Sequence, residues 1–337
     1  MTHPFDAVLL IGFGGPQGRN EIRPFLRNVL RNRSIPDDRF EAVVKHYERF
    51  DGVSPLTRIT LQQVAGLRAR LAAERVPLPT YLGMRNWHPF LEDTLEEMSQ
   101  ARVTRALAIP LAAHHSYSSC GQYKQNVVTA REHLLATTRR DIELTYVAGW
   151  HDHPNFIRTH AAHIERALSE LSARHRDHAR IVFTAHSIPE SMAGVSRYDA
   201  ELRESANRIA QELGRPDWVV VYQSRSGRPE DPWLGPDVCD YLKAERSRGL
   251  EAVVLSPIGF VADHIEVLYD LDYEAGQLCK NIGLEMRRAA AANDDPLFLD
   301  MLADVVRTTI GRYRGGRPLP LVSPDPSPRT EPPPPER

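Results

Sequence analysis

Cysteine is scarce: the chain of 337 residues has three, at positions 120, 239 and 279. They are too few and too scattered for a disulfide framework, and no C-x-x-C pair suggests a redox or zinc motif. No stretch approaches 18 consecutive apolar residues, which excludes an ordinary transmembrane helix. Met1 to Asp6 has no cationic segment leading into a cleavable apolar run, so nothing marks export and a cytoplasmic location is expected. An excess of one charge is also missing. The 42 Lys and Arg face 44 Asp and Glu, giving a formal net charge of −2. Nucleic acid is therefore not an expected partner, because phosphate affinity rests on a cationic excess. There is no P-loop and no G-x-S-x-G elbow.

What is present fits a soluble enzyme. The hydrophobic share is 42% and the charged share 26%, and the length allows about two domains at roughly 100–200 residues each. Proline is unevenly spread: nine of 26 fall in the last 20 positions, including the run Pro332 to Pro335. Such a segment cannot build a packed core, so 315–337 is expected to be a disordered or polyproline-type tail.

Upstream, short apolar runs alternate with helical patterns. Strands are expected at Ala7–Phe13, Thr80–Met84, Ala106–Leu111, Glu143–Ala148, Ile181–Ala185, Val219–Gln223 and Ala252–Ile258. Leu56, Ile59, Val64, Leu67 and Leu71 share one helical face, as do Leu202, Ala206, Ile209 and Leu213 before Gly214. Continuous apolar strands separated by helices imply parallel sheets covered on both faces. The expected fold is α/β, with two Rossmann-like doubly wound halves, 1–149 and 150–295, and a site in the cleft between them. About four strands fall before Trp150 and about three after it.

Several motifs carry chemistry. Gly12-Phe13-Gly14-Gly15-Pro16 follows the first strand, but Gln17 stands where a dinucleotide fingerprint needs its third glycine. A turn that lets the backbone approach something flat or bulky is the better reading. Ser54-Pro55 reads first as a helix N-cap, and secondarily as an anion site. His186, in Thr184-Ala185-His186-Ser187-Ile188-Pro189, leaves a buried strand at its C-terminal end, where α/β proteins place their chemistry. Imidazole titrates near ~6.5, which suits proton transfer or metal contact. Glu266, Asp270 and Glu274 recur every fourth residue with no Lys or Arg between Asp263 and Glu274. At 3.6 residues per turn they drift only about 40° per step and line one helical face. Tolerated repulsion of that kind suggests a relay for hard cations, with a solvated acidic face as the plain alternative. His114-His115 and His151-Asp152-His153 are expected to be loop histidines rather than a transition-metal site, and Cys239 and Cys279 to be bystander thiols.

Taken together, these pieces resemble ferrochelatase, the family that inserts ferrous iron into a porphyrin in heme biosynthesis. The resemblance runs from about Ala7 to Arg314. It is carried by the Gly12–Pro16 turn, Tyr47 to Leu56, His186 to Pro189, Tyr222 to Gly227, Pro232 to Asp237 and Pro257 to His264. It implies a class II chelatase-like pair of Rossmann-like halves, with a helix over about 296–314 packing back on the first. His186 is implied as the active-site histidine on one face of the macrocycle and Glu266 as the carboxylate opposite it, with Asp270 and Glu274 as an outer metal relay. Tyr47, Ser54 and Tyr123 match positions that reach the ring's propionates, and Arg31 is a charged partner. Iron cannot enter while two pyrrole nitrogens hold protons, so a base and a carboxylate row are the groups the reaction needs.

The chain departs from the family in places. Phe13 stands where several bacterial relatives carry a tyrosine able to ligate iron. His46 replaces a frequent arginine in the propionate set, Asp51 a frequent glycine, and Gly194 to Tyr198 is spaced differently. Members with a 2Fe–2S cluster use a cysteine near Cys120 and three near the C-terminus. Nothing after Cys279 is cysteine, so no cluster is expected. No redox cofactor is implied; iron and porphyrin are substrates, and a monomer is expected. The blocks at Phe260–His264 and Tyr269–Glu274 resemble coproporphyrin III ferrochelatases more than the membrane-associated protoporphyrin IX enzymes. A protoporphyrin IX ferrochelatase is the alternative. A cobalt or nickel tetrapyrrole chelatase and a non-catalytic porphyrin carrier are more distant ones.

Overall fold

The apolar run Ala7–Gly12 forms strand β1, and all six residues are buried, as a strand covered on both faces requires. The structure is a computed structural model that describes residues 3–31, 35–116, 121–226 and 230–316. Cys120, Gly227 and positions 317–337 of the proline-rich tail lie outside the described residues.

Beside β1 lie β2 (Thr80–Met84), β3 (Arg105–Pro110) and β4 (Glu143–Tyr146), in the order β2-β1-β3-β4. The second sheet contains β5 (Arg180–His186), β6 (Trp218–Gln223), β7 (Ala252–Ser256) and β8 (Glu285–Arg288), in the order β6-β5-β7-β8. Every pairing is parallel, and the second order repeats the first. Two doubly wound α/β sheets are thus present.

The second sheet has four strands, not three. The sequence Glu285-Met286-Arg287-Arg288 gave no strand signal because β8 is a short edge strand whose four side chains are all half-buried. It pairs with β7 alone, so it lacks the apolar run that marks a central strand.

Helix ends follow local chemistry. Ser54 caps the helix Pro55–Ala73 by accepting from the Leu56 N–H at 3.4 Å, with Pro55 in the first turn. The helix Tyr198–Leu213 ends at Gly214, whose φ of 64° is the left-handed stop that glycine adopts freely. A last helix, Pro296–Arg314, packs on the helices Pro55–Ala73 and Pro154–Ser169. Gly66 permits that approach, since a Cβ there would lie 2.4 Å from Leu299 Cδ1. One continuous core joins Leu10 of β1, Phe156, Phe298 and Phe183 of β5. Each such side chain contributes about 1.5–3 kcal/mol by leaving water, and together they hold the two strand-end rims facing one another.

Candidate active site

The C-terminal ends of both sheets open onto one cavity of about 1360 Å³. All ten candidate residues line it: Phe13, Arg31, His46, Tyr47, Ser54, Tyr123, His186, Glu266, Asp270 and Glu274.

His186 is the last residue of β5. Its Nδ1 lies 2.5 Å from the Ser187 carbonyl oxygen. A carbonyl only accepts, so the neutral ring carries its hydrogen on Nδ1 and leaves the Nε2 lone pair available. Tyr198 ties the same residue down by donating its hydroxyl to the His186 carbonyl at 2.9 Å. The Ser187 N–H donates to the Gln223 carbonyl at 2.8 Å, fixing the loop on β6.

Nε2 points at Glu266, whose Oε2 is 4.0 Å away. A flat ring in van der Waals contact with both groups would need about 7 Å between them, twice a contact distance of roughly 3.5 Å. The expectation that they face one another across the macrocycle therefore does not match this geometry. The topology gives the reason: β5 and β7 are hydrogen-bonded neighbours, so the segments leaving their ends stand on the same wall. The facing wall comes from the first sheet and its helices, with Phe13, Tyr47, Ser54 and Tyr123.

The acidic row is carried differently from the expected α-helix. Leu268–Ala275 is a π-helix, entered through a short turn, Ile265–Val267. Hydrogen bonds from i to i+5 widen the turn past four residues, so the row drifts in the opposite sense to that in an α-helix. Asp270 and Glu274 lie on the π-helix, with Glu266 in the entering turn. His264 caps this segment, its Nδ1 accepting from the Val267 N–H at 3.2 Å.

Burial and the neighbouring Glu266 and Glu274 charges push the Asp270 carboxyl up to about 7. It accepts hydrogen bonds from Ser224 Oγ and, at 3.2 Å, from Gln223 Nε2. Both oppose the rise because they favour the charged form. Ser224 has a left-handed φ of 59°, a conformation that costs a non-glycine residue of order 1 kcal/mol or more and often marks a functional site. Glu274 is raised too, by burial and then by Asp237. Among the described residues, no three His, Cys, Asp or Glu side chains converge into a ready metal cage. Glu266, Asp270 and Glu274 instead present carboxylate oxygens one after another along the cavity.

The facing wall is aromatic and hydroxylic. Tyr47 and Tyr123 are buried, and burial beside Glu266 and Asp270 holds the Tyr47 phenol well above its ordinary range. Ser54 is buried and also serves as the helix cap, so it is partly committed to the backbone. Arg31 is exposed at the rim. Phe13 packs edge-on against Phe25 at 6.3 Å and lies 6.0 Å from the Arg85 guanidinium. His46 stacks on Tyr269 at 3.6 Å with an interplanar angle of 13°, linking the helix Asp37–Glu48 to the π-helix. Burial lowers its affinity for a proton, with Glu266 opposing.

The glycine turn has an internal reason. Gly14 has φ of 90°, and a Cβ on it would meet the Trp87 backbone nitrogen at 2.8 Å. A Cβ on Gly15 would meet Ser54 at 2.7 Å. These glycines admit the protein's own chain, while the turn also lines the cavity. Asp51 likewise sits at φ 54°, a left-handed conformation that glycine adopts more freely.

The paired histidines are more engaged than free loop residues. His114 is buried with Nε2 3.0 Å from Ser205 Oγ, and His115 pairs with Glu201 at 2.9 Å. His151 pairs with Glu204 at 3.2 Å and His153 with Asp304 at 3.1 Å. Burial pushes the Cys239 thiol up to about 12 and that of Cys279 up to about 11, so neither is a reactive thiolate. Sequence reasoning did not assign Ser224 and Gln223 to Asp270, nor Tyr269 to His46. The block Tyr222 to Gly227 was a signal for the first pair, whereas the second required knowing which helices face each other.

The fold and this strand-end site define a chelatase-type α/β protein. SirB of Bacillus subtilis, solved with Fe3+, superposes with a TM-score of 0.58 at 10% identity, over 93% of this chain and 98% of that one. The sirohydrochlorin chelatase SirB from its subspecies spizizenii, solved with cobalt, gives 0.54 at 11% identity, over the same shares. Residues 5–310 match the family model for ferrochelatase, and the chain belongs to that family. It is 41% identical over 312 residues to a ferrochelatase of Rhodopirellula baltica, covering 92% of this chain and 87% of that protein. It is 39% identical over 327 residues to the coproporphyrin III ferrochelatase of Mycolicibacterium smegmatis, covering 96% and 94%. Among the described residues no helix is long and apolar enough to cross a membrane.

Proposed function

We propose that this protein inserts Fe2+ into coproporphyrin III, forming the iron porphyrin and releasing two protons. The observation that carries this is the lone pair of His186 Nε2 standing 4.0 Å from Glu266, at the head of a row of carboxylates in a cavity of about 1360 Å³. Similarity to coproporphyrin III ferrochelatases over most of the chain supports the choice of ring.

The macrocycle lies between the aromatic wall of Phe13 and Tyr47 and the wall of His186 and Glu266. Tyr47, Ser54, Tyr123, His46 and Arg31 hold its carboxylates. Iron enters along Glu274 and Asp270 to Glu266, shedding water for carboxylate oxygen at each step. His186 Nε2 takes a pyrrole proton as the metal–nitrogen bonds form, and the nearby Glu266 carboxylate accepts the second. Oxidation states do not change, so the step needs no electron carrier. Asp270 works in the row only when ionised, which occurs above its value of about 7.

The test is anaerobic titration of the purified protein with coproporphyrin III and with protoporphyrin IX, adding Fe2+ and following the Soret and visible bands. Collapse of the four-banded free-base spectrum with coproporphyrin III is the expected result. Turnover with protoporphyrin IX alone would reverse the choice of ring. A bound but unmetallated ring in both cases would sink the iron-insertion reading.

A further inference from the structure

Five carboxylates crowd the segment from Asp263 to Glu274 with no cation among them: Asp263, Glu266, Asp270, Asp272 and Glu274. The structure sorts them into two sets. Glu266, Asp270 and Glu274 line the cavity; Asp263 and Asp272 do not. The second pair is joined by one side chain from another element, Arg288 at the end of β8. Its Nη1 donates to Asp263 Oδ1 at 2.9 Å and its Nε to Asp272 Oδ1 at 2.5 Å. Arg288 and Asp263 are only 15% and 14% exposed, so this pairing is far less screened than a surface ion pair.

The residues so bridged flank Glu266 and Asp270 in the chain. Arg288 therefore closes a short loop around the two carboxylates nearest the head of the row. The N-terminal side of the loop is fixed further. The Asp263 N–H donates to Asn293 Oδ1 at 2.8 Å, and Asn293 Nδ2 donates back to Asp263 Oδ2 at 2.9 Å. Asn293 sits at a left-handed φ of 49°, and its carbonyl accepts from Gln63 Nε2 of the opposite wall at 2.7 Å. A chain of hydrogen bonds thus runs from the helix Pro55–Ala73 to the π-helix.

We infer that Arg288 is a positioning residue for metal transfer: by holding Asp263 and Asp272 it fixes both ends of the segment carrying Glu266 and Asp270, and so sets their distance from His186. The inference rests on the iron-insertion reading. Without the guanidinium, two further carboxylates are left uncompensated behind a row that already repels itself, and the segment relaxes outward. Metal transfer suffers, because it needs Glu266 and Asp270 in place. Ring binding does not, because its groups lie on other elements.

The experiment compares wild type, Arg288→Met, Arg288→Lys and Asp272→Asn in anaerobic steady-state metallation of coproporphyrin III, with Fe2+ and the ring varied separately. Arg288→Met is expected to lower kcat/KM for Fe2+ by about 10–100-fold, the usual loss when a group that orients metal-handling side chains is removed. Its KM for the porphyrin should stay near wild type. Arg288→Lys, keeping charge but not the two-armed geometry, should recover part of the loss. Asp272→Asn breaks one arm without stranding a charge; it should show a smaller loss of the same kind, and it carries the test if Arg288→Met does not fold. Folded variants with wild-type Fe2+ parameters would overturn the inference. So would parallel losses for Fe2+ and porphyrin, which would mean general loosening. A wild type that does not metallate either ring would overturn the iron-insertion reading and this inference with it; a wild type that does, matched by all variants, would remove only the role of Arg288.

Discussion

The two halves of the cleft share one scaffold and carry opposite chemistry. Their sheets have the same strand order, so β1 and β5 occupy equivalent central places, as do β3 and β7. Where β5 ends in His186 with a free lone pair, β1 runs into Phe13, which offers no ligand atom. Where β7 leads to Glu266 and the acidic row, β3 leads to His114 and His115, held by Ser205 and Glu201. In the proposed function one wall grips the ring and the other does acid–base and cation work. The difference shows that strand topology supplies a cleft, while the few residues just past each strand decide what happens in it.

The largest break in this contrast comes from His186→Ala. It removes the lone pair assigned to the first pyrrole proton and should cut metallation by about 10²–10⁴-fold. Porphyrin affinity, followed by fluorescence quenching, should stay near wild type because the ring is held from the other wall. Substantial turnover would break the division of labour.

Phe13→Tyr blurs the contrast from the other side by adding a phenol oxygen at the end of β1, where Phe13 offers no ligand atom. Bound iron porphyrin should acquire a phenolate ligand, visible as a changed Soret and charge-transfer spectrum, with slower product release. An unchanged spectrum would mean the ring does not lie against position 13.

Asp270→Asn sharpens it through stability. The folded carboxyl titrates at about 7 against about 3.9 unfolded, so the folded chain holds an extra proton between those values. Its unfavourable effect is absent below pH ~4 and complete above about 7. The amide should therefore raise Tm on the order of 5 °C at pH 8 and much less at pH 4, while weakening Fe2+ transfer. Equal Tm changes at both pH values would contradict the burial argument.

The smallest change, Glu285→Gln, lies away from the cleft as a control. Hydrogen bonds from the Ser172 side chain and N–H, then from His175, hold the Glu285 carboxyl down to about 2. That support is present above its unfolded value of about 4.3 and lost as pH falls through 2. The variant should lose about 3 °C of Tm at pH 7 and little near pH 2, with metallation kinetics intact. Slower metallation would show that β8 is coupled to the site by more than Arg288.

Much of this architecture was legible in the residues. Buried strands such as Ala7–Gly12 and Ala252–Ser256 announce themselves by unbroken apolar runs, and Ser54-Pro55 and Gly214 mark helix ends by their local chemistry. His186 and the fourth-residue acidic row stood out as single-site signals. What stayed hidden depended on partners distant in sequence. Edge strand β8 has no apolar run of its own. The π-helix left no mark of its own, because an i, i+4 row reads the same in sequence whichever helix carries it. The compensation of Asp263 and Asp272 comes from a cation 16 or more residues away. That His186 and Glu266 share a wall follows from β5 pairing with β7, which no local spacing reveals.

The most direct test of the two-wall account is a crystal structure of the protein with coproporphyrin III bound. The account predicts the ring between Phe13 on one face and both His186 and Glu266 on the other. A ring with His186 and Glu266 on opposite faces would contradict it.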